Sequence, residues 1–130
     1  MKTDFYDISS EIWTKKYRYS GNGSGKPDKD ITDTMRRVAK ACAANEKNKK
    51  HWEKRFEAIL CDMKFIPGGR IIANAGTSRE QATMFNCYVM NTIDDSIEGI
   101  FDTVKESAMT QKQGGGVGFD FSTLRPRGAS

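Results

Sequence analysis

The sequence predicts an α/β chain: a helical lead-in followed by one strand–helix–strand unit that is incomplete as a sheet. Three observations predict it. Apolar residues recur at helical spacing through the first half. The pattern switches to alternation at 84–90. A long helical stretch then separates that run from a second short apolar run, which is the spacing of a crossover between parallel strands. Two such strands need a larger sheet around them, because an isolated pair leaves its edges unpaired.

The elements follow in order. Ile8, Ile12, Trp13 and Tyr17 define a first helix over 7–19, with Ser9 or Ser10 available to cap it. Ser20 to Asp28 contains Gly21, Gly23 and Gly25 and reads as a turn-rich connector. A phosphate-loop reading fails there, since no strand precedes it and no helix starts directly after it. Met35, Val38, Ala39 and Cys42 form the apolar stripe of a helix over 32–44. Arg36, Arg37 and Lys40 are expected to face away, and Cys42 to be a small buried hydrophobe. The charged run from Asn45 to Lys50 breaks the chain as a solvated loop. Trp52, Phe56, Ile59, Leu60 and Met63 mark a third helix over 50–63, with Cys61 just off its stripe and His51 on the surface. Pro67-Gly68-Gly69 stops it, and Arg70 to Thr77 reads as a short apolar piece ending in a turn.

The strand at 84–90 places Phe85, Cys87 and Val89 on one side. Asp95 followed by Glu98 fits a capping pattern with Asp95 as N-cap. The helix after it runs to about Gln113, with Ile97, Ile100, Phe101, Val104 and Ala108 as the expected buried face. Gly114-Gly115-Gly116 ends the helix, Val117 to Phe121 forms the second strand, and Ser122 to Ser130 is a basic loop. The domain reading is 1–64 for the helical region and 65–130 for the start of the α/β part.

Composition excludes several classes. The chain has 130 residues and a formal net charge of +4, with 37% hydrophobic and 29% charged residues. No apolar run approaches the roughly 20 residues of a membrane span, and residues 1–5 lead into no secretory signal. Three cysteines without a CxxC and a single histidine argue against a disulfide framework and a metal site. A reducing, cytoplasmic setting is expected. The dispersed charge gives no case for nucleic acid. Cys87 is the one candidate reactive thiol, although a strand cysteine is more commonly core. Gly114 to Gly118 brings backbone close to backbone or ligand. Arg125 and Arg127 read as a phosphate clamp or a soluble tail.

Four stretches carry a resemblance. They are Phe65-Ile66-Pro67-Gly68-Gly69-Arg70-Ile71-Ile72-Ala73-Asn74-Ala75-Gly76-Thr77, Phe85-Asn86-Cys87-Tyr88-Val89, Asp95-Ser96-Ile97-Glu98-Gly99-Ile100-Phe101-Asp102-Thr103, and Gly114 through Gly128. In this order they resemble the adenosylcobalamin-dependent (class II) ribonucleotide reductases. Ile12-Trp13, Lys16-Tyr17-Arg18 and Thr34 to Ala39 look like the helical lead-in of the same enzymes. The resemblance implies the opening of a ten-stranded α/β barrel that reduces ribonucleotides to 2′-deoxyribonucleotides by thiyl-radical chemistry. It implies that Cys87 is one of the redox pair, and that Ile71 (by its backbone), Asn86, Cys87 and Gly116 border the substrate. It implies that Asp95, Ser96, Ile97 and Arg125 meet a deoxynucleotide effector at a dimer interface. The link from Cys87 to Asp95 is one residue longer than the family pattern.

The radical cysteine, the partner of Cys87 and most adenosylcobalamin contacts are expected in a C-terminal remainder of the reductase. The chain alone is therefore expected to be inactive, as a split-gene subunit, an intein-interrupted half or a truncated gene. A class I large-subunit fragment is the near alternative. A non-catalytic nucleotide-binding or regulatory module, or a small helical interaction domain, is the different-class alternative.

Overall fold

The computed structural model describes residues 6–21, 25–79 and 82–129. The chain divides into two compact units, Met1–Glu80 and Gln81–Ser130. Asn22 to Ser24 of the glycine connector and the opening residues 1–5 lie outside the described residues.

The first unit is helical. Helix α1 spans Asp7–Ile12 and continues as a π-helical turn over Trp13–Tyr17, closed by the Arg18 N–H donating to the Trp13 carbonyl at 2.9 Å. It starts ahead of both serines, and Tyr6 at the cap offers no side-chain acceptor. Helix α2 spans Ile31–Cys42 and is extended by a 3₁₀ turn over Ala43–Asn45. Asp30 caps it, accepting the Asp33 N–H at 2.9 Å. Helix α3 spans Lys49–Cys61, and its cap is Asn48, from within the charged run, which accepts the His51 N–H at 3.3 Å. It ends before Pro67, in a reversal at Met63 (φ 54°) where Lys64 and Met63 donate back to Ile59 and Leu60. The stretch read as a short apolar piece forms helix α4, Gly69–Asn74.

Met35, Val38, Ala39, Leu60 and Ala75 make the buried core, with Phe56, Met63 and Ile71 packed around it. The stripe of α2 faces inward as its spacing demands, with one correction. Cys42, at the end of the stripe, is exposed, and the next residue, Ala43 at the start of the 3₁₀ turn, takes the buried position instead. Cys42 borders a mainly apolar cavity of about 300 Å³ shared with Val38, Phe56, Leu60, Phe65 and Ile71.

Arg37 is a second correction. It does not face away into solvent, since only 10% of its side chain is exposed. Its Nη2 lies 2.9 Å from Asp28 Oδ2 and its Nε 3.1 Å from Oδ1. It also donates to the carbonyls of Ile72 and Ala75 at the end of α4. Asp28 Oδ2 further accepts from the Tyr19 N–H at 3.1 Å and from Thr34 Oγ1 at 2.8 Å. Trp13 Nε1 donates to that same Thr34 hydroxyl at 3.0 Å. The Asp28 N–H returns to the Tyr19 carbonyl at 2.9 Å, closing the neck of the glycine connector.

The second unit is a strand–helix–strand. Strand β1 is Cys87–Val89, helix α5 is Ile97–Lys112 and strand β2 is Gly116–Gly118. The strands pair in parallel with Cys87 opposite Gly116, Tyr88 opposite Val117 and Val89 opposite Gly118, as the crossover spacing predicts. β2 starts one residue earlier than expected and stops before Phe119.

The expected buried face of α5 is corrected. Ile97, Phe101 and Val104 are 74%, 66% and 55% exposed, whereas Thr103 and Ser107 are buried. Thr103, Ser107 and Thr110 share one face at i, i+4, i+7. At Gly115 a Cβ would stand 2.6 Å from the Tyr88 ring and 3.0 Å from Thr110 Cγ2. Helix and strands thus approach closely where the sequence is small, and the apolar stripe points elsewhere. Phe85 and Val89, on the outward side of β1, are likewise exposed.

Arg37→Met keeps an unbranched apolar stem but removes the guanidinium, and leaves the Asp28 carboxylate buried without a cation. A loss of about 3–5 kcal/mol is expected in urea denaturation. Burial pushes the Asp28 carboxyl up, but hydrogen bonds from Arg37, Tyr19 and Thr34 outweigh it and hold the group below its ordinary value of 3.8. Its stabilisation is therefore whole above about pH 4 and is lost as pH falls through the lowered folded value. Denaturation curves from pH 7 to 2 should show that loss in the parent, and a smaller one in Asp28→Asn.

Candidate functional site

The second unit gathers the candidate residues into two clusters. The first stands at the start of the strand pair. Cys87 opens β1 and its thiol is exposed. The Gly116 N–H donates to the Asn86 carbonyl at 2.8 Å, so Asn86, Cys87 and Gly116 form one patch. A Cβ built on Gly116 would stand 3.8 Å from Cys87 Sγ and 3.4 Å from the Asn86 oxygen. Hydrogen in its place leaves room for a reactant over the backbone beside the sulfur.

Tyr88, the next residue, is turned the opposite way by the period of the strand. Its hydroxyl bonds Thr83 Oγ1, which accepts the Phe85 N–H at 3.0 Å. That bond fixes the entry into β1 and so the position of Cys87. An exposed thiol of this kind can exchange with a disulfide or give up its hydrogen. The two other cysteines are in the first unit. Burial pushes the Cys61 thiol up from its ordinary value, with Glu57 adding to the rise, which suits a packing role.

The second cluster is at the N-terminus of α5. Ser96, not Asp95, is the cap: its backbone is extended and its Oγ accepts the Gly99 N–H at 3.0 Å. Asp95 is instead held by Arg125, which returns from the loop after β2. Arg125 Nε donates to Asp95 Oδ2 at 2.7 Å and Nη2 to the Asp95 carbonyl at 3.0 Å. Thr123 Oγ1 donates to the carbonyl of buried Ile93 at 2.7 Å, pinning that loop two residues before Arg125. Asp95, Ser96 and Arg125 therefore meet, with Ile97 exposed beside them. The cluster joins a helix N-terminus to a guanidinium with donors to spare, and both favour an anionic ligand. Arg127 is exposed.

Ile71 is placed differently. It belongs to the first unit, where its side chain lines the apolar cavity. Its N–H donates to the Gly68 carbonyl and its own carbonyl accepts the Ala75 N–H, both at 2.9 Å.

The sequence reading missed Asp28, Tyr19 and the role of Arg37. The available signal was a carboxylate just ahead of a capped helix and an arginine on the flank of its apolar stripe. It also missed Gly99, where a Cβ would stand 2.6 Å from the Asp94 Cβ. That glycine lets the chain before Ser96 fold tightly against the first turn. Among the described residues no group of three or more His, Cys, Asp or Glu can hold a metal ion. None of their helices is long and apolar enough to cross a membrane.

Comparison with known proteins gives a consistent picture. Residues 3–80 match the family described as "Ribonucleotide reductase, all-alpha domain" and residues 85–130 the one described as "Ribonucleotide reductase, barrel domain". The chain is 43% identical over 77 residues to a vitamin B12-dependent ribonucleoside-diphosphate reductase of Thermoplasma acidophilum, covering 59% of the chain and 10% of that protein. It is 34% identical over 109 residues to the similarly named protein of Mycobacterium tuberculosis, covering 80% of the chain and 15% of the relative. It is 44% identical over 71 residues to the ribonucleoside-diphosphate reductase large subunit of vaccinia virus, covering 55% and 9%. The chain thus spans about a tenth of the length of these relatives.

Ser96→Ala removes the cap and should cost about 1 kcal/mol of stability. Asp95→Ala removes only a partly exposed ion pair and should cost less than about 1 kcal/mol. Thermal denaturation followed at the helix band of both variants checks the order.

Proposed function

The chain belongs to the ribonucleotide reductase large-subunit family, and on that premise we propose that it supplies one redox thiol and part of the effector site of a reductase. The reaction converts ribonucleotides to 2′-deoxyribonucleotides. The observation that carries the reading is the exposed Cys87 thiol opposite the bare backbone of Gly116. In the reaction the C2′–O bond breaks, the oxygen leaves as water and a C2′–H bond forms. Two thiols supply the two electrons and two protons and end as a disulfide. Cys87 is one of them, and its partner and the radical cysteine come from the remainder of the reductase.

Asn86 and Gly116 border the ribose side of the substrate. Ile71 stands in this reading as a backbone neighbour of the substrate phosphate. Its N–H, the group that would meet a phosphate oxygen, donates to the Gly68 carbonyl in the first unit and would have to be released for that contact.

Asp95, Ser96 and Ile97 receive the sugar and base of a deoxynucleotide effector, with Arg125 for its phosphates. Arg125 reaches them by exchanging Asp95 for phosphate oxygens. In the assembled enzyme the effector lies between two copies, and the setting is cytoplasmic.

The cobalamin of the B12-dependent relatives does not fit the residues described here. The two cavities of the first unit, about 300 Å³ and about 660 Å³, are of the size that small ligands fill, and cobalamin is larger than either. The one histidine, His51, is exposed and stacks edge-on against Trp52. No step is therefore assigned to the cofactor on this chain, and adenosylcobalamin belongs to the remainder of the enzyme. A reductase large subunit without that dependence is the second reading, favoured by similarity to the vaccinia virus and Helicobacter pylori proteins, whose names carry no cobalamin.

The test is Cys87→Ser in the enzyme reconstituted with its remainder. Turnover should fall to background while ribonucleotide binding persists. Turnover equal to the parent's contradicts the role of Cys87.

A further inference from the structure

The first unit holds a concave site that the proposed chemistry does not use. A cavity of about 660 Å³ opens beside α2, within the range of about 300–1,000 Å³ typical of small-ligand pockets. Asp33, Arg37 and Lys40, with Ala41 and Ala44, form one wall from a single face of the helix. The segment Lys26–Lys29 forms the other, and Gly76 reaches it from beyond α4.

Six charged side chains line the cavity: Lys26, Lys29, Arg37, Lys40, Asp28 and Asp33. Both carboxylates are already engaged. Asp28 is held by two nitrogens of Arg37. Asp33 accepts the Lys29 N–H at 3.1 Å and stands 3.8 Å from the Arg36 guanidinium. The three lysines are exposed and form no ion pair among the described residues. The lining therefore carries four cationic side chains against two carboxylates, with lysines on both walls, and its field favours an anion.

We infer that this cavity binds a small polyphosphate anion. Three lysines drawn from the two walls suit a ligand that carries several negative charges along a short chain, and an ammonium is an effective point-charge partner for phosphate oxygens. A single carboxylate would leave part of that charge unanswered. Pro27, Ala41 and Ala44 add apolar surface for an uncharged group attached to the phosphates. This inference stands apart from the reductase reading, because it uses none of the residues placed at Cys87 or Arg125.

Isothermal titration of the chain with sodium tripolyphosphate at fixed ionic strength tests it, since screening by salt is then held constant. One equivalent should bind. The Lys26→Gln/Lys29→Gln/Lys40→Gln variant should bind about tenfold more weakly or worse. Lys54→Gln, an exposed position on α3 away from the cavity, should bind as the parent does. The lysines are exposed, so a melting curve matching the parent's is expected for the triple variant. No binding by the parent, equal affinity in the triple variant, or an equal loss in Lys54→Gln overturns the inference.

Discussion

The buried pair of Asp28 and Arg37 is the constraint on which the first unit depends. It joins four segments that sequence order keeps apart: the chain after the π turn at Tyr19, the loop before α2, α2 itself and the end of α4. The aspartate takes donors from Tyr19, Thr34 and Arg37, and the arginine divides its remaining donors between two carbonyls. No buried side-chain nitrogen or oxygen among the described residues lacks a partner. A buried ion pair adds little net stability compared with a well-packed apolar replacement. Its value here is register, since one donor fork meets one set of acceptors and the helices then have a single way to dock. The apolar core of Met35, Val38 and Leu60 supplies the driving force, and the polar node selects the arrangement.

The second unit follows a different rule. Three-residue strands and one helix cannot bury much surface, and Phe85, Val89, Ile97, Phe101 and Phe121 stay exposed. What holds it is close approach: Gly115 under Tyr88, small polar residues on the inner face of α5, and Thr123 and Arg125 tying the last loop to the start of the helix. A unit of this kind is built to be continued. Its apolar surface and unpaired strand edges suit the first strands of a larger sheet. Its two candidate clusters sit at opposite ends of the same crossover, with β1 leading from the thiol toward the helix N-terminus.

Much of this was legible in the residues. The stripes of α2 and α3 fix those helices because Met35, Val38, Leu60 and Phe56 recur at the helical period. The parallel pairing was legible because a long helix stands between two short apolar runs. The failures share one cause, which is that the deciding partner is remote. Asp95 and Ser96 are both good caps; Ser96 takes the role once Arg125, thirty residues on, occupies Asp95. Arg37 reads as solvated until Asp28 and the end of α4 are placed around it. The stripe of α5 reads as buried because periodicity reports which residues are apolar, not which surface is at hand to cover them. Gly115 held the contrary signal, as a glycine there marks a close approach, which Tyr88 and Thr110 line. The family resemblance was carried by short motifs around Cys87, Asp95 and Gly116, and it extends over both units.

The central claim is that Cys87 gives its electrons to the ribose. The most direct measurement is peptide mapping of the assembled reductase after one turnover without external reductant, with free thiols alkylated at the end. The account predicts that the Cys87 peptide appears in a disulfide with a cysteine of the remainder, in amount equal to the deoxynucleotide formed. Deoxynucleotide formed while Cys87 stays free and fully alkylated contradicts it.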